Sequence, residues 1–236
     1  MTKILWTRPE GPAVATMILA HGSGAPMDSP FLERLTAALV AEGIAVARFE
    51  FAYMARRRKD GKKLLPSAAD KLVGEYRTAI RHVLNEEEVA LPLILGGKSL
   101  GGRVAVMTSA TDLSQPDIGP VSGVVAFGYP FHPTGDPEKL RLQPLEECTL
   151  PLLIAQGERD EFGNRAEVEA LTLKTPPTIV WLDDGSHDFG PRGQSGATLK
   201  GNIAAAARAS AAFAAELAAR LPLMNLVGDA DFEDDE

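Results

Sequence analysis

The feature that most limits what this chain can fold into is a recurring unit. A short run apolar at every position is followed by a glycine-rich or polar turn, then by a stretch with helical spacing. Val14–Ala20 (VATMILA) ends at HGSG, and Ile44–Phe51 (IAVARFEF) leads into AYM. Leu91–Leu95 (LPLIL) leads into GGKSLGG, and Gly123–Phe127 (GVVAF) into GYPF. Leu150–Ala155 (LPLLIA) ends at QGERD, and Thr178–Leu182 (TIVWL) at DDGSHD. A strand that is apolar on both faces must be covered on both, as in a parallel sheet flanked by helices. Between these runs, Ser29-Pro30 marks the start of a helix that stops at Gly43. Ser67 with Asp70 reads as a capping box for a second helix, with Leu72, Val73, Tyr76, Ile80, Val83 and Leu84 on one stripe. Gly101–Ala110, Asn164–Leu173 and about Ser195 to Leu221 read as further helices, the last with Leu199, Ile203, Phe213, Leu217 and Leu221 inward. The alternation predicts an α/β fold: a doubly wound, mostly parallel sheet with helices on both faces.

At 236 residues the chain is long enough for one large core and short for two. The reading places one domain over 1–224 and an acidic tail over 225–236. The net charge of −8 comes from 24 basic and 32 acidic side chains, and Asp229–Glu236 (DADFEDDE) carries six of the acids without a base. The remainder is close to neutral, which argues against a nucleic-acid binder. No apolar run approaches the roughly 20 residues of a membrane helix, and MTKILWTRPEGP lacks the apolar core of a signal peptide. A cytoplasmic protein without membrane partners is expected. Cys148 is the single cysteine, and His21, His82, His132 and His187 show no metal-binding spacing. Neither a metal nor an organic cofactor is expected.

Polar signals sit at the carboxyl ends of the predicted strands, the edge where open α/β sheets bind ligands. The sharpest is Gly97-Lys98-Ser99-Leu100-Gly101, a GxSxG pentapeptide between an apolar strand and a small-residue helix. A serine at such a strand-to-helix turn projects its hydroxyl from the sheet edge, and glycines two residues away on either side let strand and helix approach. With 10 serines and 22 glycines in 236 residues, chance supplies about 0.09 such matches, before the strand and helix are required. A serine hydroxyl needs a base, and the base an orienting carboxylate. Asp160 in QGERD and His187 in GSHD follow in chain order, each just after a predicted strand. Glu158 and Glu161 flank Asp160 as alternative carboxylates. An oxyanion hole is expected from the N–H of Leu100 and from the His21-Gly22-Ser23-Gly24 loop, with Ser23 first and Gly24 second. His21, Tyr53, Arg56, Tyr129 and His132 are candidates for the pocket rim.

With these residues in place, the chain resembles the α/β-hydrolase superfamily. It is most similar there to a small, lid-less subgroup related to dienelactone hydrolases, which includes testis-expressed and chromatin-complex-subunit-like proteins. The matching blocks are HGSGAPMDSPF, RFEFAYM, GGKSLGGR, GYPFHPTGDPEKLR, QGERDEFG and DGSHDFGPR, spanning His21 to Arg192. The resemblance implies a serine-hydrolase fold with Ser99, Asp160 and His187 as a catalytic triad. No large insertion separates Phe131 from Leu150, where many such hydrolases carry a helical lid, so a pocket that is shallow or roofed by short loops is expected. AYMARRRKDGKK, with Arg56 to Lys63, leaves the active-site edge and reads as a solvated loop, the alternative being a rim for an anionic substrate or a docking partner. The expected activity is cleavage of a small ester or thioester through an acyl-enzyme, with a small-molecule substrate as partner. The alternative is a non-catalytic hydrolase scaffold used for binding or assembly.

Overall fold

A computed structural model describes residues 3–62, 64–85, 89–110 and 121–221, so the acidic tail lies outside the described residues. The strands are β1 (Ile4–Thr7), β2 (Ala15–Ala20), β3 (Ile44–Phe49), β4 (Leu93–Lys98), β5 (Val121–Phe127), β6 (Leu152–Gly157) and β7 (Thr178–Leu182). The helices are α1 (Pro30–Ala41), α2 (Ala52–Asp60), α3 (Ala69–Leu84), α4 (Leu100–Ser109), α5 (Gln143–Glu147), α6 (Arg165–Glu169) and α7 (Leu199–Ala218). Among the described residues no helix is long and apolar enough to cross a membrane.

The strands form one sheet in the order β1-β3-β2-β4-β5-β6-β7, with every neighbouring pair parallel except β1 with β3. The doubly wound, mostly parallel sheet is therefore as the sequence predicts. Every residue of β2, β3, β4 and β6 is buried, because both faces are covered. On one face α1 and α7 pack over Met17, Leu19, Val125 and Leu153. On the other, α3 and α4 cover Ile18, Leu95, Val124 and Ile154.

The chain order reverses between β2 and β4. From β2 the path moves outward to β3, then returns past β2 to β4 and continues to β7. The carboxyl ends of β2 and β4 lie side by side, with Ala20 in register with Gly97. Such a switch point leaves a crevice at the sheet edge. Tyr76 of α3 fastens the same pair of strands. Its Oη lies 2.6 Å from Ile18 O and 2.8 Å from Gly96 O, and accepts from Gly96 N–H at 3.0 Å.

Several local expectations need correction. β1 has no counterpart in the sequence reading; it is a four-residue, half-buried edge strand. The basic segment expected to be a loop forms α2 over Ala52–Asp60, and its only buried side chains are Tyr53 and Met54. The second helix starts at Ala69 with Ala68 as N-cap and no side-chain cap, so Ser67 caps nothing. Ser29 does precede Pro30 at the start of α1, but its side chain makes no cap hydrogen bond. Asn164 caps α6 through a reciprocal box with Glu167, although the helix ends at Glu169 rather than Leu173. Helix α7 starts at Leu199, four residues after Ser195, with the Thr198 side chain accepting from Gly201 N–H as its cap, and it ends at Ala218, so Leu221 lies beyond it.

Candidate active site

The site forms where β4 meets α4. Ser99 has φ 54° and ψ −117°, a conformation that L residues seldom adopt and that the surroundings must hold. Its N–H donates to Phe127 O and its carbonyl accepts from Arg103 N–H, both at 3.0 Å, tying the turn to β5 and to the first turn of α4. The glycines permit the turn. A Cβ on Gly101 would lie 2.6 Å from both Ala20 O and His21 O, so only hydrogen fits where α4 crosses the end of β2. Leu100 is the first residue of α4, so its N–H has no acceptor within the helix.

Asp160 follows β6 and is fully buried. Its two oxygens lie 3.0 and 2.8 Å from His187 Nδ1. The carboxylate also accepts from Phe162 N–H at 2.9 Å and from Gln156 Nε2 at 3.0 Å. With a carboxylate as its partner, Nδ1 carries the proton and Nε2 keeps a free lone pair. Gln156 is itself fixed, because Nε2 also lies within hydrogen-bond distance of Tyr129 O and Gly163 O. Sequence reasoning missed this glutamine, which lies inside an apolar strand. Glu158 and Glu161 are not beside the imidazole: Glu158 pairs with Arg165 and accepts from Asp184 N–H, and no hydrogen bond links Glu161 to His187 among the described residues.

Ser99 and His187 open into one cavity of about 440 Å³, lined also by the Gly22-Ser23-Gly24 loop and by Phe31 and Phe162 as apolar walls. The Phe162 and His187 rings are 4.4 Å apart between centroids. No hydrogen bond joins Ser99 Oγ to His187 among the described residues. Lys98 also lines the cavity; it is 5 % exposed, and its Nζ is 3.2 Å from Asp188 Oδ1.

The structure corrects all five rim candidates, none of which lines this cavity. His21, Tyr53, Tyr129 and His132 are buried, and Arg56 points to solvent from α2. Tyr53 Oη donates toward Gly22 O and Ser23 O from beneath the loop. Tyr129 Oη donates to Arg141 O. His132 bridges to Glu167 of α6 at 3.3 Å. The walls that do face Ser99, Phe31 and Phe162, stand one or two residues from positions the sequence had marked, Pro30 and Asp160.

His21 is a support for the loop rather than part of its surface. Nε2 accepts from Phe51 N–H at 3.1 Å, so Nδ1 must carry the proton and donate to Gly22 O at 2.6 Å. That arrangement needs a neutral ring. Burial lowers its pKa below the ordinary 6.5, outweighing the opposing hydrogen bond to Gly22. A group lowered on folding binds fewer protons folded than unfolded, so its contribution is present above the unfolded value and is lost as pH falls below 6.5. The thermal midpoint is therefore expected to drop between pH 7 and 5, and to drop less steeply in His21→Gln. Equal slopes in the two proteins would contradict this assignment.

Among the described residues no group of three or more His, Cys, Asp or Glu side chains is arranged to hold a metal ion.

A family model described as an alpha/beta hydrolase domain matches residues 13–215. Solved structures are similar at the level of fold. A dienelactone hydrolase from Anabaena variabilis is 22 % identical with a TM-score of 0.64, covering 89 % of each chain. A lid-less α/β serine hydrolase from Xanthomonas campestris is 21 % identical with a TM-score of 0.60, again covering 89 % of each chain. Est1E from Butyrivibrio proteoclasticus, solved with ferulic acid bound, is 14 % identical with a TM-score of 0.64, covering 93 % of this chain and 96 % of that one.

Proposed function

Because the chain belongs to the alpha/beta hydrolase domain family, we propose that it is a serine hydrolase cleaving a small ester or thioester. One observation carries the reading: His187, held through Nδ1 by buried Asp160, shares a cavity with a serine at a strained strand-to-helix turn. A histidine so held offers Nε2 as a base, and a serine so placed offers an exposed hydroxyl.

In the proposed reaction Ser99 Oγ attacks the acyl carbon as its proton passes to His187 Nε2. The carbonyl oxygen becomes an oxyanion held by the N–H groups of Leu100 and Ser23. Collapse breaks the bond to the leaving alcohol or thiol, which takes the proton from His187. Water then attacks the acyl-enzyme, giving its proton to His187, and the acid departs as that proton returns to Ser99. Asp160 keeps the tautomer and stabilises the imidazolium throughout. Side chains and backbone carry every step.

A cavity of about 440 Å³ with two phenylalanine walls suits a small acyl group. The segment from Gly128 to Leu142 contains no helix and α5 has five residues, so among the described residues no helical lid follows β5. The test is labelling with a fluorophosphonate, read by intact mass. Wild type is expected to take one adduct, and Ser99→Ala and His187→Ala none. Folded wild type that takes no adduct would overturn the hydrolase reading in favour of a binding scaffold.

A further inference from the structure

A second cavity, of about 850 Å³, opens between α3, α4 and the strap that joins β5 to α5. It shares no lining residue with the cavity at Ser99. Arg103 of α4 and Arg141 of the strap both line it, as does Lys139. Its apolar wall is formed by Val73, Met107 and Leu140.

Among the described residues the two arginines have no counter-charge. Arg103 Nε is buried and has no hydrogen-bond partner, and neither guanidinium has a carboxylate partner among the described residues. Burial first, and then the neighbouring Arg103 charge, push Arg141 below the ordinary guanidinium value, and the phenol of Tyr129 alone acts in the opposite direction. Glu147, the one acid lining the cavity among the described residues, accepts from Gln143 Nε2 at 2.8 Å. Two like charges held together beside an apolar wall cost stability unless something neutralises them. Nor is either residue free to swing its backbone away. Arg103 N–H is bound to Ser99 O, Arg141 N–H donates to Phe131 O at 2.7 Å, and Arg141 O accepts from Tyr129 Oη.

We propose that Arg103 and Arg141 form the anion-binding pair of a second, non-catalytic site, which takes the phosphate of a small phosphomonoester with an apolar body. A phosphate monoester carries about −1.5 to −2 charge at neutral pH and three acceptor oxygens, enough to occupy two guanidinium forks. A carboxylate satisfies one fork and leaves the other charge unmatched. The wall of Val73, Met107 and Leu140 takes the apolar body. Bound ligand would join the strap to the helix that begins one residue after Ser99.

The test is calorimetric titration of the full chain with phenyl phosphate, with inorganic phosphate and benzoate as comparators, all at one fixed salt concentration. Saturable 1:1 binding of phenyl phosphate is expected, tighter than of either comparator. Arg103→Gln and Arg141→Gln should each weaken it at least about tenfold. Arg141→Lys, which keeps the charge and loses the fork, should weaken it by less, and serves as the measurement if a glutamine variant does not fold. Ser99→Ala should bind as wild type does, which separates this site from the proposed hydrolase centre. Absence of phenyl phosphate binding to folded wild type overturns the proposal. So does binding that survives both glutamine changes or is lost in Ser99→Ala. Inorganic phosphate or benzoate binding as tightly as phenyl phosphate would overturn the assignment to a phosphomonoester with an apolar body.

Discussion

Replacing Ser99 with alanine is expected to lower kcat/KM for p-nitrophenyl acetate by about 10⁴-fold or more, with the far-ultraviolet circular dichroism spectrum unchanged. The size follows from what the hydroxyl does in the proposed reaction. Without it no acyl-enzyme forms, and what remains is water attack on an ester held by backbone donors. The loss should be similar in His187→Ala, because serine and base act as one unit and their removal is not additive. Asp160→Asn tests a different link. Asparagine is close in shape but can present an N–H to His187 Nδ1, which favours the tautomer with its proton on Nε2, where the base must be free. A fall of about 10⁴-fold in kcat is expected for that variant. The Ser99 substitution removes no packing of consequence, since the residue is only half-buried and lines a cavity. A Ser99→Ala protein that keeps more than a tenth of wild-type activity would sink the mechanism. A wild type inactive on every ester and thioester tried, and inert to fluorophosphonate, would favour the scaffold reading.

How much of this was legible in the sequence depended on whether the signal was local. The continuous apolar runs revealed the buried strands, because a strand covered on both faces has no polar positions to spare. Ile4–Thr7 was not visible in that way. It is short and half-buried, and it is a strand only because its antiparallel partner β3 lies beside it, a long-range fact. The basic helix α2 was hidden for the opposite reason. Arg56 to Asp60 carry charge at every position, so no apolar stripe marks the helical period, and only Tyr53 and Met54 of the helix are buried. At the site, the order Ser99, Asp160, His187 was readable because each follows an apolar run at one sheet edge. The walls were not. An aromatic residue in a turn or at the start of a helix can point into the core or toward the ligand, and its neighbours in sequence do not decide which. Tyr53 and Tyr129 turned inward, whereas Phe31 and Phe162 face Ser99.

The same strand-to-helix turn predicts a large loss of stability. Gly97→Ala is expected to destabilise the fold by more than about 4 kcal/mol, a large part of the roughly 5–15 kcal/mol typical of a whole domain. A Cβ at this position would lie 2.2 Å from Gly101 C, 2.4 Å from Gly101 O and 2.4 Å from Gly102 N. All three are backbone atoms, so no side chain can rotate away. Relief requires α4 to move from the end of β4, yet α4 is held on the far side, where Gly101 already approaches Ala20 O and His21 O. Shifting the strand instead would break its register with β2 and β5. Gly74→Ala supplies the contrast. Gly74 lies within α3 with nothing near its missing Cβ, so alanine there should stabilise by about 0.5–1 kcal/mol through helix propensity alone. Urea unfolding of the two variants beside wild type reads both effects in one experiment. Gly97→Ala is expected to be insoluble or to lose most of its midpoint, while Gly74→Ala shifts slightly upward. A Gly97→Ala protein within about 1 kcal/mol of wild type would mean that strand and helix are not in close contact at the turn, and the strained geometry at Ser99 on which the proposed nucleophile depends would fall with it.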